Sequence, residues 1–236
     1  TGPIGGSDTE VMFNDNGVAA GSSNLSFAKG DGLLGVGLYN AQARIHARNY
    51  SVLFDGSWGN TPVSGAGKRF MWITGKTALR AGEVEGGQWN DESIGTNSIA
   101  LGFNPVALGK NSIAIGNRLN SNADYSFSFG NGLMNNSFGS VVLGMNNDSW
   151  GDMTKWVDTD PLFIVGNGID DANVSNALVI LKNGNIGIGT NNPSDKLEIN
   201  GQIKITGGFP GAGKVLTSNA DGLALWQFPN VTTPAG

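Results

Sequence analysis

Short apolar segments that end in glycine recur along the middle of the chain at a fixed spacing. The segment "NSIALG" at residues 97–102 returns as "NSIAIG", and "YSFSFG" and "GSVVLG" follow, each 14 residues after the last. Large and small residues alternate within each copy, which is typical of a short β-strand. Asn and Gly, which tolerate tight turns, are frequent after each copy. The pattern predicts one strand and one turn per 14 residues, stacked into a solenoid or β-roll.

The two faces of these predicted strands differ in residue size. One face carries large apolar side chains, namely Ile99, Leu101, Ile113, Ile115, Phe127, Phe129, Val141 and Leu143. The other face carries mostly small residues, namely Ser98, Ala100, Gly102, Ser112, Ala114, Gly116, Ser126, Ser128, Gly130, Ser140 and Gly144. Coils this thin bury few large side chains, so we expect copies of the chain to associate. Because small side chains let two backbones approach closely, we predict that the small-residue face packs against other copies in a symmetric oligomer.

The regions on either side of the repeats also predict strands. Between residues 11 and 37, "EVMFND", "NLSFAK" and "LLGVGL" are separated by the turn sequences "NDNG" and "KGDG". Three hairpins are predicted nearer the C-terminus, with turns at 183–184, 200–201 and 221–222. No segment gives a convincing helix. We therefore predict an all-β chain.

The order of these patterns divides the chain into five predicted segments. They are an N-terminal β shaft segment (1–39), a Trp-containing intermediate β segment (40–95), the repeats (96–150), a β-hairpin stem (151–229) and a linker (230–236). This order predicts a row of small modules rather than one large core.

The repeats resemble the head repeats of trimeric autotransporter adhesins, the YadA-like head, whose unit is similar to "NSIAIG" followed by an Asn/Gly turn. The resemblance implies a left-handed β-roll of 14-residue coils, with three chains packed about one axis. The third copy, "YSFSFG", departs from the pattern because Phe127 and Phe129 stand where aliphatic residues are usual. We expect that coil to be wider or distorted.

The flanking segments resemble parts of other fibrous proteins. Residues 5–37 resemble a segment of phage fibre proteins that forms intertwined strands, and 60–95 resemble the stretch before such head repeats. Residues 161–205 are similar to the stem of many tail fibres, and 205–227 to a further module of the same kind. Together these resemblances imply a homotrimeric fibre with a β-roll head and an intertwined β-hairpin or β-prism shaft.

The same resemblances imply a structural fibre of a virion, with a phage tail fibre as the first choice, that presents receptor-binding surfaces for host attachment. Its expected partners are two further copies of itself, other fibre or baseplate proteins of the virion, and a host cell-surface glycan or protein. A bacterial surface adhesin is the alternative, and a trimeric polysaccharide depolymerase is the alternative from another class. The expected location is extracellular, on a virion or on a bacterial cell surface.

Charge and composition remove several other classes of function. The net charge is −5 and no basic run occurs, which disfavours a nucleic-acid partner because phosphates would not be neutralised. No apolar stretch approaches the ~20 residues that cross a bilayer, so we expect no membrane insertion. Cysteine is absent, which excludes disulfides and thiolate chemistry.

Residues suited to catalysis are sparse. His46 is the only histidine and lies between two arginines, so we interpret it as structural or solvent-facing. "GFPGAGKV" at 208–215 nearly matches a phosphate-binding loop, but Val215 stands where Ser or Thr would bind Mg²⁺ and a hairpin is predicted to follow. We therefore expect no enzyme activity, no cofactor and no metal site. Acidic residues leave two alternatives open, a Ca²⁺ loop at 170–173 and a pair of glycanase carboxylates.

Five of the six Trp residues are candidates for receptor or glycan contact, namely Trp58, Trp72, Trp89, Trp150 and Trp156. Two roles are open for each: closing an uncovered end of the roll, or stacking on a sugar. We favour packing over ligand contact. The turn segments 118–124 and 131–138, which follow the repeats, are the other exposed candidates for receptor contact.

Overall fold

The computed structural model describes residues 10–15, 17–37, 41–48 and 51–229. Within these residues the chain forms 19 β-strands and three single turns of 3-10 helix, with no α-helix among them. The all-β prediction is confirmed. The chain divides into two compact units, Thr1–Gly56 and Ser57–Gly236. The linker predicted at 230–236 lies outside the described residues.

The first unit contains one four-stranded sheet. Its strands are β1 (Glu10–Asp15), β2 (Val18–Ala28), β3 (Leu33–Val36) and β4 (Ile45–Ala47). The first three pair antiparallel in that order, and β4 pairs parallel with β3. The three strands predicted here are confirmed, as is the turn at "KGDG" between β2 and β3.

The second unit is built around one long sheet. It starts with the hairpin β5 (Gly67–Ile73) and β6 (Ala78–Val84), and the repeats then contribute β7 (Ile99–Phe103), β9 (Ile113–Asn117), β11 (Phe127–Asn131) and β13 (Val141–Met145). The short strands β8 (Val106–Ala107), β10 (Asn120–Ser121) and β12 (Met134–Asn135) form a second, parallel sheet. After the repeats come β14 (Pro161–Asn167), β15 (Asn176–Leu181), β16 (Ile186–Ile188), β17 (Leu197–Ile199), β18 (Val215–Ser218) and β19 (Ala224–Gln227).

The long sheet contains ten strands in the order β17-β16-β15-β14-β13-β11-β9-β7-β6-β5. From β6 to β14 the strands pair parallel and in register, so that equivalent residues of successive coils stack directly on one another. The long and short sheets together make stacked 14-residue coils. The left-handed sense and the three-chain packing stay predictions, whereas the β-roll itself is confirmed. The predicted boundaries at 95/96 and 150/151 fall inside this continuous sheet.

Each coil turns at two corners where the backbone is left-handed. The first corner is formed by Asn104, Arg118, Gly132 and Asn146, with φ of 53°, 50°, 62° and 42°. The second corner is formed by Asn97, Asn111, Tyr125 and Gly139, with φ of 56°, 56°, 57° and 66°. Most of these residues are Asn or Gly because both tolerate this conformation at low cost. The corners therefore explain why the turns between repeats are rich in these two residues.

The glycine that ends each repeat is required by close contact between coils. It belongs to a column in register along the sheet, formed by Gly82, Gly102, Gly116, Gly130, Gly144 and Gly166. A Cβ on Gly116, for example, would overlap the backbone carbonyl of Gly130 in the next coil. Gly116 also has φ of 141°, which side chains rarely allow. Glycine thus sets the separation of the coils as well as their turns.

The interior of the roll is lined by the small side chains of the repeats. Seven residues predicted to face other copies are instead buried by the chain itself: Ser98, Ala100, Ser112, Ala114, Ser126, Ser128 and Ser140. The prediction that these side chains pack against other copies is wrong, because the long and short sheets of one chain close over them. Ser121 of the short sheet, for example, bonds Ser128 of the long sheet with an Oγ–Oγ distance of 2.7 Å. For Gly102, Gly116, Gly130 and Gly144, packing against other copies stays a prediction.

Two of the three predicted hairpins form. β15 pairs antiparallel with β16 across residues 183–184, and β18 pairs antiparallel with β19 across 221–222. The hairpin predicted at 200–201 is wrong within the chain, because residues 202–214 contain no strand and β17 pairs parallel with β16 instead. That pairing stacks the apolar residues of β17 beside those of β16. The intertwined and β-prism parts of the predicted shaft stay predictions.

A tryptophan and an arginine close the first end of the roll. Trp89 is fully buried, and its indole Nε1 donates a hydrogen bond to the carbonyl of Pro105 at 2.9 Å. Arg80 is paired with Ala100, and its guanidinium donates to the carbonyl oxygen of Ser98 at 3.0 Å. Burial lowers the pKa of Arg80 to about 10. The end coil thus holds a large cation where the next coil holds alanine.

A lysine is enclosed near the last repeat. The Nζ atom of Lys182 lies 5.2 Å from the ring centre of Trp156, 6.0 Å from that of Phe138 and 4.0 Å from Asp160 Oδ2. Burial lowers the pKa of Lys182, while the Asp160 carboxylate raises it. Trp150 is partly buried and packs against the core of the roll.

Candidate interaction surfaces

The outward side of the long sheet carries two continuous rows of apolar side chains, which we call the outer face. The first row is Trp72, Leu79, Ile99, Ile113, Phe127, Val141, Phe163, Ile180 and Ile186, and the second row is Phe70, Ala81, Leu101, Ile115, Phe129, Leu143, Val165, Leu178 and Ile188. None of these residues is buried within the chain. With about 4.8 Å between neighbouring strands, each row runs for about 40 Å.

The outer face is unusually apolar for the surface of a single chain. Phe70 is 74% exposed and Phe129 is 55% exposed. Soluble monomers rarely leave a continuous apolar surface of this extent in water. The next row along the strands is mixed, with Asn117, Asn131 and Asn167 in register with Phe103 and Met145. The amide side chains give the apolar centre a partly polar rim, and an apolar centre with a polar rim is the arrangement found at protein interfaces.

The third repeat keeps the geometry of the others. Its strand, β11, pairs with β9 and β13 without a shift in register. The expectation of a wider or distorted coil is therefore not met in the pairing of the strands. Phe127 and Phe129 belong to the outer face, where extra volume projects away from the coil interior.

The five candidate Trp residues lie in different environments. Trp89 has no exposed surface, so of the two roles left open for it, ligand contact is wrong and packing is the one observed. Trp150 is partly buried against the core of the roll, and Trp72 belongs to the outer face. Trp156 is half-exposed, and Trp58 is 89% exposed. Ligand contact by the exposed members stays a prediction.

A cleft of about 420 Å³, which we call the Arg118 cleft, lies at the short sheet. Its polar lining includes Arg118, Asn120, Asp148 and Asp171, and its apolar lining includes Met134 and Val174. The sequence segments 118–124 and 131–138, predicted as exposed, supply half of these six residues. None of the candidate Trp residues lines the cleft.

The Arg118 cleft lies outside the outer face, at the short sheet and the first corner of the coil. Ser121 and Asn135 of the short sheet are buried in the roll, whereas the preceding residues, Asn120 and Met134, pair side by side and are partly exposed. Since side chains alternate along a strand, Asn120 and Met134 point away from the interior. This part of the cleft is therefore on the short-sheet side of the roll, and Arg118 and Gly132 extend it to the first corner.

Side-chain hydrogen bonds hold the wall of the cleft in place. The amide of Asn147 accepts from the backbone N–H of Met134 and donates to its carbonyl, both at 2.9 Å. Asn147 thereby pairs with Met134 as a neighbouring strand would. The Asp148 Oδ2 atom accepts a hydrogen bond of 2.8 Å from Asn191 Nδ2. The acidic side of the cleft is thus positioned by a residue 43 positions away in the sequence.

Arg118 occupies a corner position that favours other residues. Its equivalents in the other coils are Asn104, Gly132 and Asn146, and its own φ of 50° is uncommon for a long side chain. Its Nη1 atom lies 3.9 Å from Asp171 Oδ2, and the two side chains are 54% and 74% exposed. This distance is too long for a hydrogen bond. The Arg118 guanidinium and the Asp171 carboxylate both line the cleft, and both can form hydrogen bonds with a ligand.

The loop considered for Ca²⁺ is organised by its own hydrogen bonds. The Oδ1 atom of Asp170 accepts from the Asn173 amide at 2.8 Å and from the backbone N–H of Ala172 at 3.0 Å. These bonds lower the pKa of the Asp170 carboxyl. The described residues contain no group of three or more His, Cys, Asp or Glu side chains placed to hold a metal ion.

Two further expectations concern phosphate binding and membranes. The segment 208–215 leads into strand β18 and not into a helix, as predicted. Lys214 Nζ donates to the carbonyl of Phe209 at 2.7 Å within the same loop. In the described part of the chain, no helix has the length and apolarity of a membrane span.

Residues 93–118 match the family model of the YadA head domain repeat, in two copies. The matched region contains β7, β8 and β9, which are the first complete coils of the roll. No curated protein and no solved structure matches the chain. These coils are YadA-like head repeats, and the match supports a self-associating, adhesin-like fibre head of the extracellular kind.

Proposed function

We propose that three copies of the chain associate through the outer face and form the head of an extracellular fibre that attaches to a cell surface. The observation that carries this proposal is the pair of apolar rows that a single chain leaves uncovered. The match of residues 93–118 to YadA-like repeats supports it, because heads of that kind are trimeric.

The regular register of the long sheet suits a symmetric assembly. Each coil presents the same kind of apolar pair, such as Ile113 with Ile115, at the same position along the strand. Rotation about an axis parallel to the stack therefore brings each coil to its counterpart in the other copies. Phe127 and Phe129 form the one repeat with two aromatic residues and contribute the largest contact area there.

The fibre attaches by presenting three identical sets of exposed loops together. Once one of the three sites on a rigid head has bound, the other two are held at a high effective concentration near the same surface. Avidity of this kind needs no new contact, only the assembled head. We propose that the protein acts by binding and does not cleave its receptor, so that incubation with host polysaccharide leaves the viscosity unchanged. A fall in viscosity would instead indicate a depolymerase.

We propose that the fibre is part of a virion, and the alternative is that it is attached to a bacterial cell surface. The support is the resemblance of residues 5–37 and 161–205 to segments of phage fibres. Tail or baseplate genes beside this gene are the expected finding. A full-length gene with a C-terminal membrane anchor and no such neighbours would assign the chain to a bacterial adhesin.

A charged residue placed on the outer face tests whether the chains form a trimer through that face. We expect light scattering of the wild-type protein to give three times the chain mass of 24.4 kDa. Phe129→Asp places three carboxylates in an apolar contact, so we expect a single-chain mass with an unchanged β-strand signal in circular dichroism. Leu108→Asp is the control, because Leu108 is an exposed apolar residue outside the outer face.

The same variants test attachment. Fluorescently labelled wild-type protein and Leu108→Asp should bind host cells equally, whereas Phe129→Asp should bind at least about 100-fold more weakly because avidity is lost. A monomeric wild type, or a Phe129→Asp variant that stays trimeric, would contradict assembly through the outer face. A trimer that binds none of the candidate host cells would contradict attachment.

A further inference from the structure

We propose that the Arg118 cleft binds a neutral saccharide unit of the receptor. The proposal rests on the attachment function above and names the site and ligand class for it. The cleft volume of about 420 Å³ falls within the range of about 300–1,000 Å³ that small-molecule sites occupy. The cleft is partly open to solvent, which suits one unit of a longer chain.

The charges around the cleft favour a neutral ligand over an anionic one. Arg118 contributes one positive charge, and Asp148 and Asp171 contribute two negative charges. The whole chain also carries −5, which repels anions further. A phosphate or uronate ligand would leave at least one carboxylate facing it without compensation.

The side chains of the cleft match the chemistry of sugar hydroxyls. Carboxylates accept hydrogen bonds from hydroxyl groups, and the guanidinium of Arg118 donates to hydroxyl and ring oxygens. Asn120 supplies an amide that both donates and accepts. Met134 and Val174 offer apolar contact for the C–H groups of a sugar ring. A polyhydroxylated neutral ring uses all of these groups at once.

The backbone at Arg118 supports a functional reason for this residue. The corner would be less strained with Asn or Gly, which are the residues at the three equivalent corners. Strained backbone is found preferentially where a side chain is needed in a fixed place. Its nearest charged group, Asp171, is 3.9 Å away and exposed, so the ion pair gives little stability in return.

The cleft is formed before a ligand arrives and stays accessible in the proposed trimer. Asn147 holds Met134 through two hydrogen bonds of 2.9 Å, and Asn191 holds Asp148. A preformed site loses less entropy on binding. No residue that lines the cleft belongs to the outer face, so trimer formation through that face leaves three copies of the cleft accessible.

The experiment measures saccharide binding to the full chain by saturation-transfer NMR. The probes are the neutral sugars D-glucose, D-galactose, D-mannose and N-acetyl-D-glucosamine, with D-glucuronic acid as the anionic comparison. We expect millimolar binding of at least one neutral sugar and weaker binding of glucuronic acid. Absence of binding by all four neutral sugars, or a preference for glucuronic acid, would overturn the proposal.

Variants then locate the site. Arg118→Asn removes the guanidinium and places a residue that the left-handed corner prefers, so its thermal midpoint should rise while saccharide affinity falls at least tenfold. Asp171→Asn should also weaken binding without lowering the midpoint, because Asp171 is exposed. Lys110→Asn, a cation on another turn of the same roll, is the control and should bind as the wild type does. Unchanged affinity in Arg118→Asn would contradict the site.

Cell binding separates this proposal from the attachment function. Periodate treatment of host cells destroys vicinal hydroxyl pairs and should abolish binding, whereas protease treatment should leave it. Binding that is lost with protease, kept after periodate and unaffected by Arg118→Asn would overturn the saccharide cleft while attachment stands. Saccharide binding that depends on Arg118, together with no cell binding, would support the cleft and contradict attachment.

Discussion

The inner and outer sides of the same strands use opposite kinds of residue. The inner row of the repeats, such as Ala100, Ala114 and Ser128, is buried although its side chains are small. The outer row, such as Ile115 and Phe129, keeps large apolar side chains in contact with solvent in a single chain. In most sheets the larger apolar side chains face the core. In these coils, therefore, small side chains mark the narrow interior of the coil, and large apolar side chains mark the face that a single chain leaves uncovered.

The side chains of the inner row become larger where the repeats end, which supports the link between small residues and a narrow interior. In register with Ser128 come Val142, Ile164 and Val179, all buried. The roll therefore accepts branched side chains on its inside where the short strands stop and longer segments cover the sheet. The small residues of the earlier coils follow from the short sheet that faces them.

The largest expected effect comes from adding one methyl group between coils. Gly116→Ala combines a left-handed backbone with a collision against the carbonyl of Gly130, so we expect a loss of about 3–4 kcal/mol in the free energy of unfolding. Gly139→Ala is the matched control, because Gly139 has φ of 66° but open space around a Cβ, and should lose only about 1–2 kcal/mol. Thermal unfolding measures both. Equal losses would show that close contact between coils is unimportant.

A smaller effect is expected from enlarging the inner row. Ala114→Leu forces extra volume between two sheets that already close over Ala114, and we expect a loss of about 2–3 kcal/mol in the free energy of unfolding. Ile115→Leu, on the next residue and the outer face, should cost less than about 1.5 kcal/mol because it conserves volume. Denaturant unfolding compares the two. A tolerated Ala114→Leu would mean that the coil interior is not tightly packed.

The smallest effect distinguishes two serines of the inner row. The Oγ of Ser140 lies 2.6 Å from Asn135 Oδ1, whereas the Oγ of Ser112 is buried without a hydrogen-bond partner. Ser140→Ala should therefore cost about 1–2 kcal/mol in the free energy of unfolding. Ser112→Ala should change it by less than about 0.5 kcal/mol, because no bond is lost. Thermal midpoints that fall equally in both variants would contradict this difference.

The 14-residue spacing was enough to predict the stacked coils, because each copy repeats its strand residues and its corner residues together. The hairpins at 183–184 and 221–222 were also predictable, since Asn-Gly and Asp-Gly turns lie between alternating strands. The extension of the long sheet to β6 and β14 was not predicted. "LRAG" and "FIVG" carry the same apolar-x-apolar-Gly ending, but their spacing from the neighbouring repeats exceeds 14 residues.

The direction of the two faces was predicted wrongly for a physical reason. Alternation along a strand separates Ser112 from Ile113 but does not say which of them the second strand of the coil covers. That depends on β8, β10 and β12, which have only two residues each and leave no periodic signal. The Arg118 cleft depends likewise on contacts such as Asn191 with Asp148, which are far apart in sequence.

Adjacent single cysteines in one coil compare the two faces most directly, because the chain contains no other cysteine. Ser112→Cys places a thiol on the inner row, and Ile113→Cys and Ile115→Cys each place one on the outer face. After mild oxidation, we expect at least one of the outer variants to form disulfide-linked pairs of chains on a non-reducing gel, and we expect Ser112→Cys to run as a single chain. Linked pairs from Ser112→Cys, with none from either outer variant, would contradict the account.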